Sequence, residues 1–320
     1  MPISTRPIFG QQNKEESQTN VQTQNNTKPR IEFELGEPFY SMQELVLPTF
    51  TKAELERCIA LRHFQKEVFE DWGFSTTHKY NNKMIINLYG EPGTGKTMAA
   101  HAIAKSLGKK IILINYGDIE SKYVGETPKN IKSAFDFAKA NDAILFFDEA
   151  DAILSRRVTN MTSATDTSVN QTRSVMLTLL NDYNDTVIFA TNFISNYDPA
   201  FMRRILMHIE FVLPDENIRR HLFERYTPNQ LPHSFNLDEL VNASSGLSGS
   251  DISNAILLAA FAAKTDRRQA VSHEDLISKI NSIRKSKDEN AMKKQSKTEV
   301  TQRIVSEDYV KSQIESGVNT

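Results

Sequence analysis

The chain is 320 residues long, with one cysteine, 24% charged residues and a formal charge of −2. That length holds a large and a small domain with a substantial core, and the near-neutral charge leaves no global excess to draw nucleic acid or an anionic membrane. The lone Cys58 excludes an internal disulfide, and the lack of a signal segment or a bilayer-length apolar run predicts a cytoplasmic protein.

Residues 1–34 are rich in Gln, Asn and Thr and poor in large apolar groups, which predicts a disordered N-terminal arm. Thr51-Lys52-Ala53-Glu54 has capping-box spacing and predicts a helix that runs to about Trp72 and stops near Gly73. Residues 84–89 are a strand-like apolar run, and residues 98–107 are alanine-rich and helix-like. Between them lies Gly90-Glu91-Pro92-Gly93-Thr94-Gly95-Lys96-Thr97, followed by Met98, which fits G-x-x-x-x-G-K-[ST]. Its glycines let the backbone turn tightly and aim consecutive N–H groups at phosphate oxygens, and the following helix adds the positive end of its dipole. Lys96 can reach the β- and γ-phosphates, and the Thr97 hydroxyl can complete a magnesium shell. This run predicts binding of a nucleoside triphosphate.

Further along, residues 110–115 predict a strand and 128–140 a helix, with Lys122-Tyr123-Val124-Gly125-Glu126 between them. Tyr123 offers a broad amphipathic face there, and Gly125 lets the segment move. Ile144-Leu145-Phe146-Phe147 reads as a strand buried on both faces of a parallel sheet, and it ends in Asp148-Glu149-Ala150-Asp151. Acids closing a buried strand point to a cation. Asp148 would hold magnesium through its water shell, and Glu149 would polarise an attacking water as general base. Residues 155–172, rich in Ser, Thr and Asn, predict a mobile loop. Residues 187–192 are another strand, ending in Asn192. The alternation of strands and helices over 80–213 predicts an α/β fold with a doubly wound parallel sheet. From Pro214 the apolar clusters Ile218-Leu222-Phe223, Leu237-Leu240-Val241, 252–263 and Leu276-Ile277-Ile280 predict a mainly helical segment. Residues 285–303 read as a polar linker, and 307–314 as a terminal helix.

Together these motifs resemble the AAA+ ATPases, in the subgroup of protein-remodelling and unfolding motors, over roughly residues 35 to 285. The resemblance implies ATP and Mg2+ as cofactors, a large ATPase subdomain over 35–213 and a lid over 214–320 with a C-terminal helix. It implies that Asn192 holds the attacking water or the γ-phosphate. It also implies that Arg203 and Arg204, in Asp198-Pro199-Ala200-Phe201-Met202-Arg203-Arg204, complete the site of a neighbour in a homo-oligomeric ring, a hexamer. Ser245-Gly246-Leu247-Ser248-Gly249-Ser250-Asp251-Ile252 resembles the start of the sensor-two helix, where Gly249 permits close approach to the nucleotide and Ser250 or Asp251 caps the helix. It lacks the arginine that many family members place there. Lys122, Tyr123, Val124 and Gly125 match the loop that lines the central pore and grips a polypeptide.

The function implied is ATP-driven partial unfolding of a protein threaded through that pore. His273-Glu274 lacks the second histidine of a metal protease, which favours a dedicated remodeller. The single-module layout resembles the pachytene-checkpoint type, which acts on HORMA-domain proteins and includes bacterial versions in antiphage (antiviral) signalling operons. Two rivals stand beside this. A DNA-directed loader or helicase would need a basic stripe, and a non-catalytic scaffold subunit would have no use for Lys96, Asp148, Glu149 and both arginines.

Overall fold

A computed structural model of the chain describes residues 32–78, 83–119, 126–155, 164–192 and 197–302. Most of the predicted arm, the pore-loop candidates Lys122, Tyr123, Val124 and Gly125, and the predicted helix over 307–314 lie outside the described residues.

Five parallel strands form one sheet. β1 (Met84–Gly90), β2 (Ile111–Asn115), β3 (Ile144–Asp148), β4 (Thr186–Thr191) and β5 (Met207–Phe211) lie in the spatial order β2-β3-β4-β1-β5. Ile144 to Phe147 and Val187 to Ala190 are fully buried, as continuous apolar runs must be when helices cover both faces.

One face carries Ile86, Leu88, Phe146, Ile188 and Ile209 against α1 (Thr49–His63) and α2 (Lys96–Ser106). The run of Ala99, Ala100, Ala102 and Ala104 gives α2 little bulk at that contact, so the two backbones can approach closely. Cys58 belongs to this core, and burial pushes its thiol up to about 12, the state of a packing residue rather than a reactive one. The opposite face is aromatic. Phe147 stacks on Phe189 at 5.4 Å, and Phe135 meets both Phe147 at 6.0 Å and Tyr183 edge-on at 5.0 Å. These rings anchor α4 (Glu126–Ala140) and α6 (Ala164–Asp182), which follow the one-turn helix α3 (Tyr116–Ile119) and the short α5 (Asp151–Leu154) respectively. After β4 comes α7 (Pro199–Met202), capped by the Asp198 carboxylate accepting from the Ala200 N–H at 2.8 Å.

Beyond β5 the chain is helical and builds a second apolar cluster. α8 (Glu216–Tyr226), α9 (Leu237–Ala243), α10 (Gly249–Thr265) and α11 (His273–Gln302) supply it, with a two-residue parallel pair, β6 (His233–Ser234) and β7 (Val271–Ser272). Leu222, Phe223, Leu240, Val241, Ile252, Leu276 and Ile280 form its centre, so the apolar positions read from the sequence are the ones that pack. Among the described residues, no helix is long and apolar enough to cross a membrane.

Several local expectations are corrected. Thr51 does not cap α1. Pro48 precedes that helix, and the buried Thr51 hydroxyl instead donates to the Glu210 carbonyl at 3.0 Å, pinning α1 to β5. α1 ends at His63, and a π turn over Glu67–Asp71 completes the path to Gly73, which is left-handed with φ 76°. A serine–glutamate box forms upstream, where the Ser41 N–H and hydroxyl both donate to Glu44 Oε2 at 2.8 Å. The predicted loop over 155–172 is helical from Ala164, and the predicted linker over 285–303 is part of α11 up to Gln302. Polar composition suggested a loop and a linker, but helix propensity does not require an apolar face.

Candidate functional site

The sheet order places three neighbouring strand ends side by side. The glycine-rich run leaves β1, Asn192 follows β4, and Asp148 and Glu149 close β3, with β4 lying between the other two. Ligands in such sheets bind outside the carboxyl ends of the strands.

The loop geometry depends on glycine at two positions. At Gly90, φ is 134° and a side chain would run into the Phe211 carbonyl of β5. At Gly93, φ is 73° and a Cβ would come within 2.6 Å of Ser248 Oγ and 2.9 Å of Ser250 Cβ. Gly95, also left-handed, precedes α2, so the buried Lys96 and the exposed Thr97 open that helix. Lys96 Nζ donates to the Gly90 carbonyl at 2.7 Å, the Glu91 carbonyl at 3.0 Å and Asn192 Oδ1 at 3.2 Å. Burial pulls its ammonium below the ordinary lysine value, opposed by the carboxylates of Asp148, Asp151 and Glu91.

Thr97 Oγ1 donates to Asp148 Oδ2 at 3.0 Å, and the Glu149 N–H donates to the other oxygen of Asp148 at 2.9 Å. Glu149 itself has φ 51°, a conformation uncommon for a residue with a side chain. The turn is held by the Ala150 N–H on the Ala190 carbonyl at 2.9 Å and by the Asn192 N–H on Asp151 Oδ2 at 3.1 Å. Backbone strain held in place by its surroundings is common where a side chain must be aimed.

These groups line a cavity of about 540 Å³, a size suited to a nucleotide. Pro92, Gly93, Thr94, Gly95, Lys96, Thr97, Met98, Asp148, Glu149, Asn192 and Gly249 all border it, whereas Gly90 and Glu91 sit behind, offering carbonyls to Lys96. The far wall is the start of α10. Ser248 is its cap, in a reciprocal box with Asp251, and the Ser250 N–H donates to the Gly93 carbonyl at 3.1 Å. The expected cap at Ser250 or Asp251 is therefore corrected to Ser248.

The apolar end of the cavity was not legible beforehand. Leu45, Val46, Leu47 and Pro48 line the cavity together with Ile218, Leu222 and Tyr226 of α8, giving it an apolar end. The sequence held one hint, the Ser41–Glu44 box that fixes the turn before Leu45.

Arg203 and Arg204 do not line this cavity. They follow α7, where Arg203 is exposed and donates to the Pro199 carbonyl at 3.3 Å. Arg204 donates to Asn181 Oδ1 at 2.8 Å and to the Ala200 carbonyl at 2.7 Å.

The donor set fits magnesium. A hydroxyl and a carboxylate 3.0 Å apart are hard oxygen ligands beside a phosphate site. Among the described residues, no group of three or more His, Cys, Asp or Glu could hold a metal ion.

Residues 86–213 match the family described as ATPase family associated with various cellular activities (AAA). They form an AAA ATPase domain. The chain is 33% identical over 238 residues to the 26S proteasome subunit RPT4 of Saccharomyces cerevisiae, covering 72% of this chain and 53% of that one. It is 34% identical over 230 residues to the 26S proteasome regulatory subunit 4 homolog B of Arabidopsis thaliana, covering 69% and 50%. It is also 34% identical over 238 residues to the proteasome-activating nucleotidase of Saccharolobus islandicus, covering 72% and 59%. The chain thus spans about half the length of the curated relatives it matches. The AAA domain accounts for the five-stranded sheet and for the phosphate loop.

Proposed function

We propose that the chain hydrolyses ATP in a homo-hexameric ring and uses the cycle to unfold part of another protein, drawn through the ring's centre. The observation that carries this reading is the convergence of Lys96, Thr97, Asp148, Glu149 and Asn192 on one cavity with an apolar end. Similarity to proteasome ATPase subunits and to a proteasome-activating nucleotidase supports a motor that acts on proteins.

Magnesium at Thr97 and Asp148 would neutralise charge between the β- and γ-phosphates. The loop N–H groups and Lys96 hold the phosphates. Glu149 accepts a proton from water as it attacks, and Asn192 orients that water or the γ-phosphate. Arg203 of a neighbouring subunit stabilises charge on the transferring phosphoryl group, with Arg204 beside it. Tyr123, within Lys122 to Gly125, grips the polypeptide by its aromatic face. The substrate class is a HORMA-domain protein, on the resemblance of the single-module layout to the pachytene-checkpoint type, and a place in antiviral defence follows from the same resemblance.

The test is a substrate trap. Tagged Glu149→Gln protein, loaded with ATP, should retain nucleotide, lose turnover by at least a hundred-fold and hold its substrate from native lysate. Adding Tyr123→Ala should release that substrate. A HORMA protein identified in the trap supports the finer reading, and nucleic acid in its place moves the assignment to the DNA-directed alternative. Turnover at the wild-type rate in Glu149→Gln removes the general-base role.

A further inference from the structure

Thr191 is the last residue of β4 and the immediate neighbour of Asn192. Its hydroxyl stands between two other buried polar groups. It accepts from the Tyr197 hydroxyl and donates to Asn87 Oδ1 at 3.3 Å, in the middle of β1. The Tyr197 oxygen lies at 3.3 Å from the same Asn87 oxygen. Asn87, Thr191 and Tyr197 are 0%, 1% and 4% exposed.

Such groups are costly to bury, and nothing in the packing demands them here. Ile85, Phe147 and Phe189 lie on the same sheet face, and an apolar trio would fill the space with no desolvation cost. Asn87 Nδ2 finds no partner among the described residues. The cluster therefore stands out as a geometric device. Burial pushes the Tyr197 phenol up, so its hydroxyl stays protonated and remains a donor.

The cluster ties two chain segments to one point. On one side, Thr191 leads directly into Asn192, whose side chain accepts from Lys96. On the other, Tyr197 begins the segment that carries the arginines. It pairs with Ser155 in an antiparallel bridge, and the next residue, Asp198, donates its N–H to the Leu154 carbonyl at 2.9 Å. Asp198 then caps α7, and Arg203 closes that helix.

We propose that Tyr197 is a positioning residue, whose buried hydroxyl keeps Asn192 and the Arg203 segment in register with β4. The inference rests on the ATPase-ring reading above. Tyr197 does not border the nucleotide cavity, so its loss should spare ATP binding and disturb only the alignment used in turnover.

The experiment compares steady-state ATP turnover of the full-length wild type and Tyr197→Phe. A roughly ten-fold lower kcat is expected, with KM for ATP changed by less than about two-fold. Thr191→Val, which removes the central hydroxyl, should give the same split, and it keeps the test open if the phenylalanine variant fails to fold. An unchanged kcat with a lowered Tm would reduce Tyr197 to a packing residue. A raised KM with full kcat would also overturn the assignment. A wild type that turns over no ATP would instead sink the ATPase reading itself.

Discussion

Arg204 is committed to its own subunit, donating to Asn181 Oδ1 and the Ala200 carbonyl, while Arg203 holds one backbone contact at 3.3 Å and is otherwise exposed. Lys83 lies in the same neighbourhood, its ammonium lowered by burial first and by the Arg204 charge second. The two arginines should therefore separate on mutation. Arg203→Ala should lower ring ATPase activity on the order of a thousand-fold with little change in Tm, since an arginine acting in trans contributes only to the reaction. Arg204→Ala should cost about 1 kcal/mol of stability from lost hydrogen bonds as well, seen as a lower Tm. Equal Tm values for the two variants would contradict this division. The family resemblance singled out both arginines as a pair, but not their unequal attachment, which depends on where Asn181 near the end of α6 falls.

At the scale of elements, the start of α10 joins the second apolar cluster to the phosphate loop. Ser248 and Asp251 cap each other, Ser250 reaches the Gly93 carbonyl, and Lys287 of α11 pairs with Asp251. Burial alone would raise the Asp251 carboxyl, but the hydrogen bonds from Lys287 and from the Ser248 N–H and hydroxyl outweigh it and hold the group below its usual range. A depressed folded-state pKa contributes stability above the unfolded value and loses it as pH falls through the folded one. Asp251→Asn should thus lower Tm at neutral pH, and its gap to wild type should narrow below about pH 4. A gap independent of pH would show that the carboxylate charge contributes nothing. The buried strands were legible as short continuous apolar runs, and most helices as apolar positions at helical spacing. Capping was the weak point. Thr51 satisfies the spacing rule but is buried, its hydroxyl on the Glu210 carbonyl, a contact between distant segments that four consecutive residues do not encode.

For the whole molecule, the question is whether one chain contains a complete site. The cavity gathers its lining from residues 44–48, the loop after β1, the start of α2, β3, β4, α8 and α10 of a single chain, but neither arginine borders it. In a ring, the site of one subunit and the arginine of another must meet. Glu149→Gln and Arg203→Ala chains should each be inactive alone, yet mixing them equally should restore about a quarter of wild-type turnover, by random assembly at interfaces. Each restored interface pairs an intact Glu149 from one variant with an intact Arg203 from the other. No recovery on mixing, together with a monomeric mass in ATP, would remove the ring.

The sequence by itself determined the phosphate loop, the acidic strand end, the α/β class and the apolar positions of the helical part. Each is written in a few consecutive residues, where spacing and side-chain chemistry leave little choice. Only the tertiary structure decided what these segments do together. Placing β4 between β1 and β3 brings Asn192 to Lys96, and Thr97 within 3.0 Å of Asp148, across about fifty residues of chain. It also decided the apolar end of the cavity, lined by residues 45–48 and α8, and the buried contact of Asn87, Thr191 and Tyr197. Contacts between distant segments depend on strand order and on the angle at which helices pack, and no local period encodes either one.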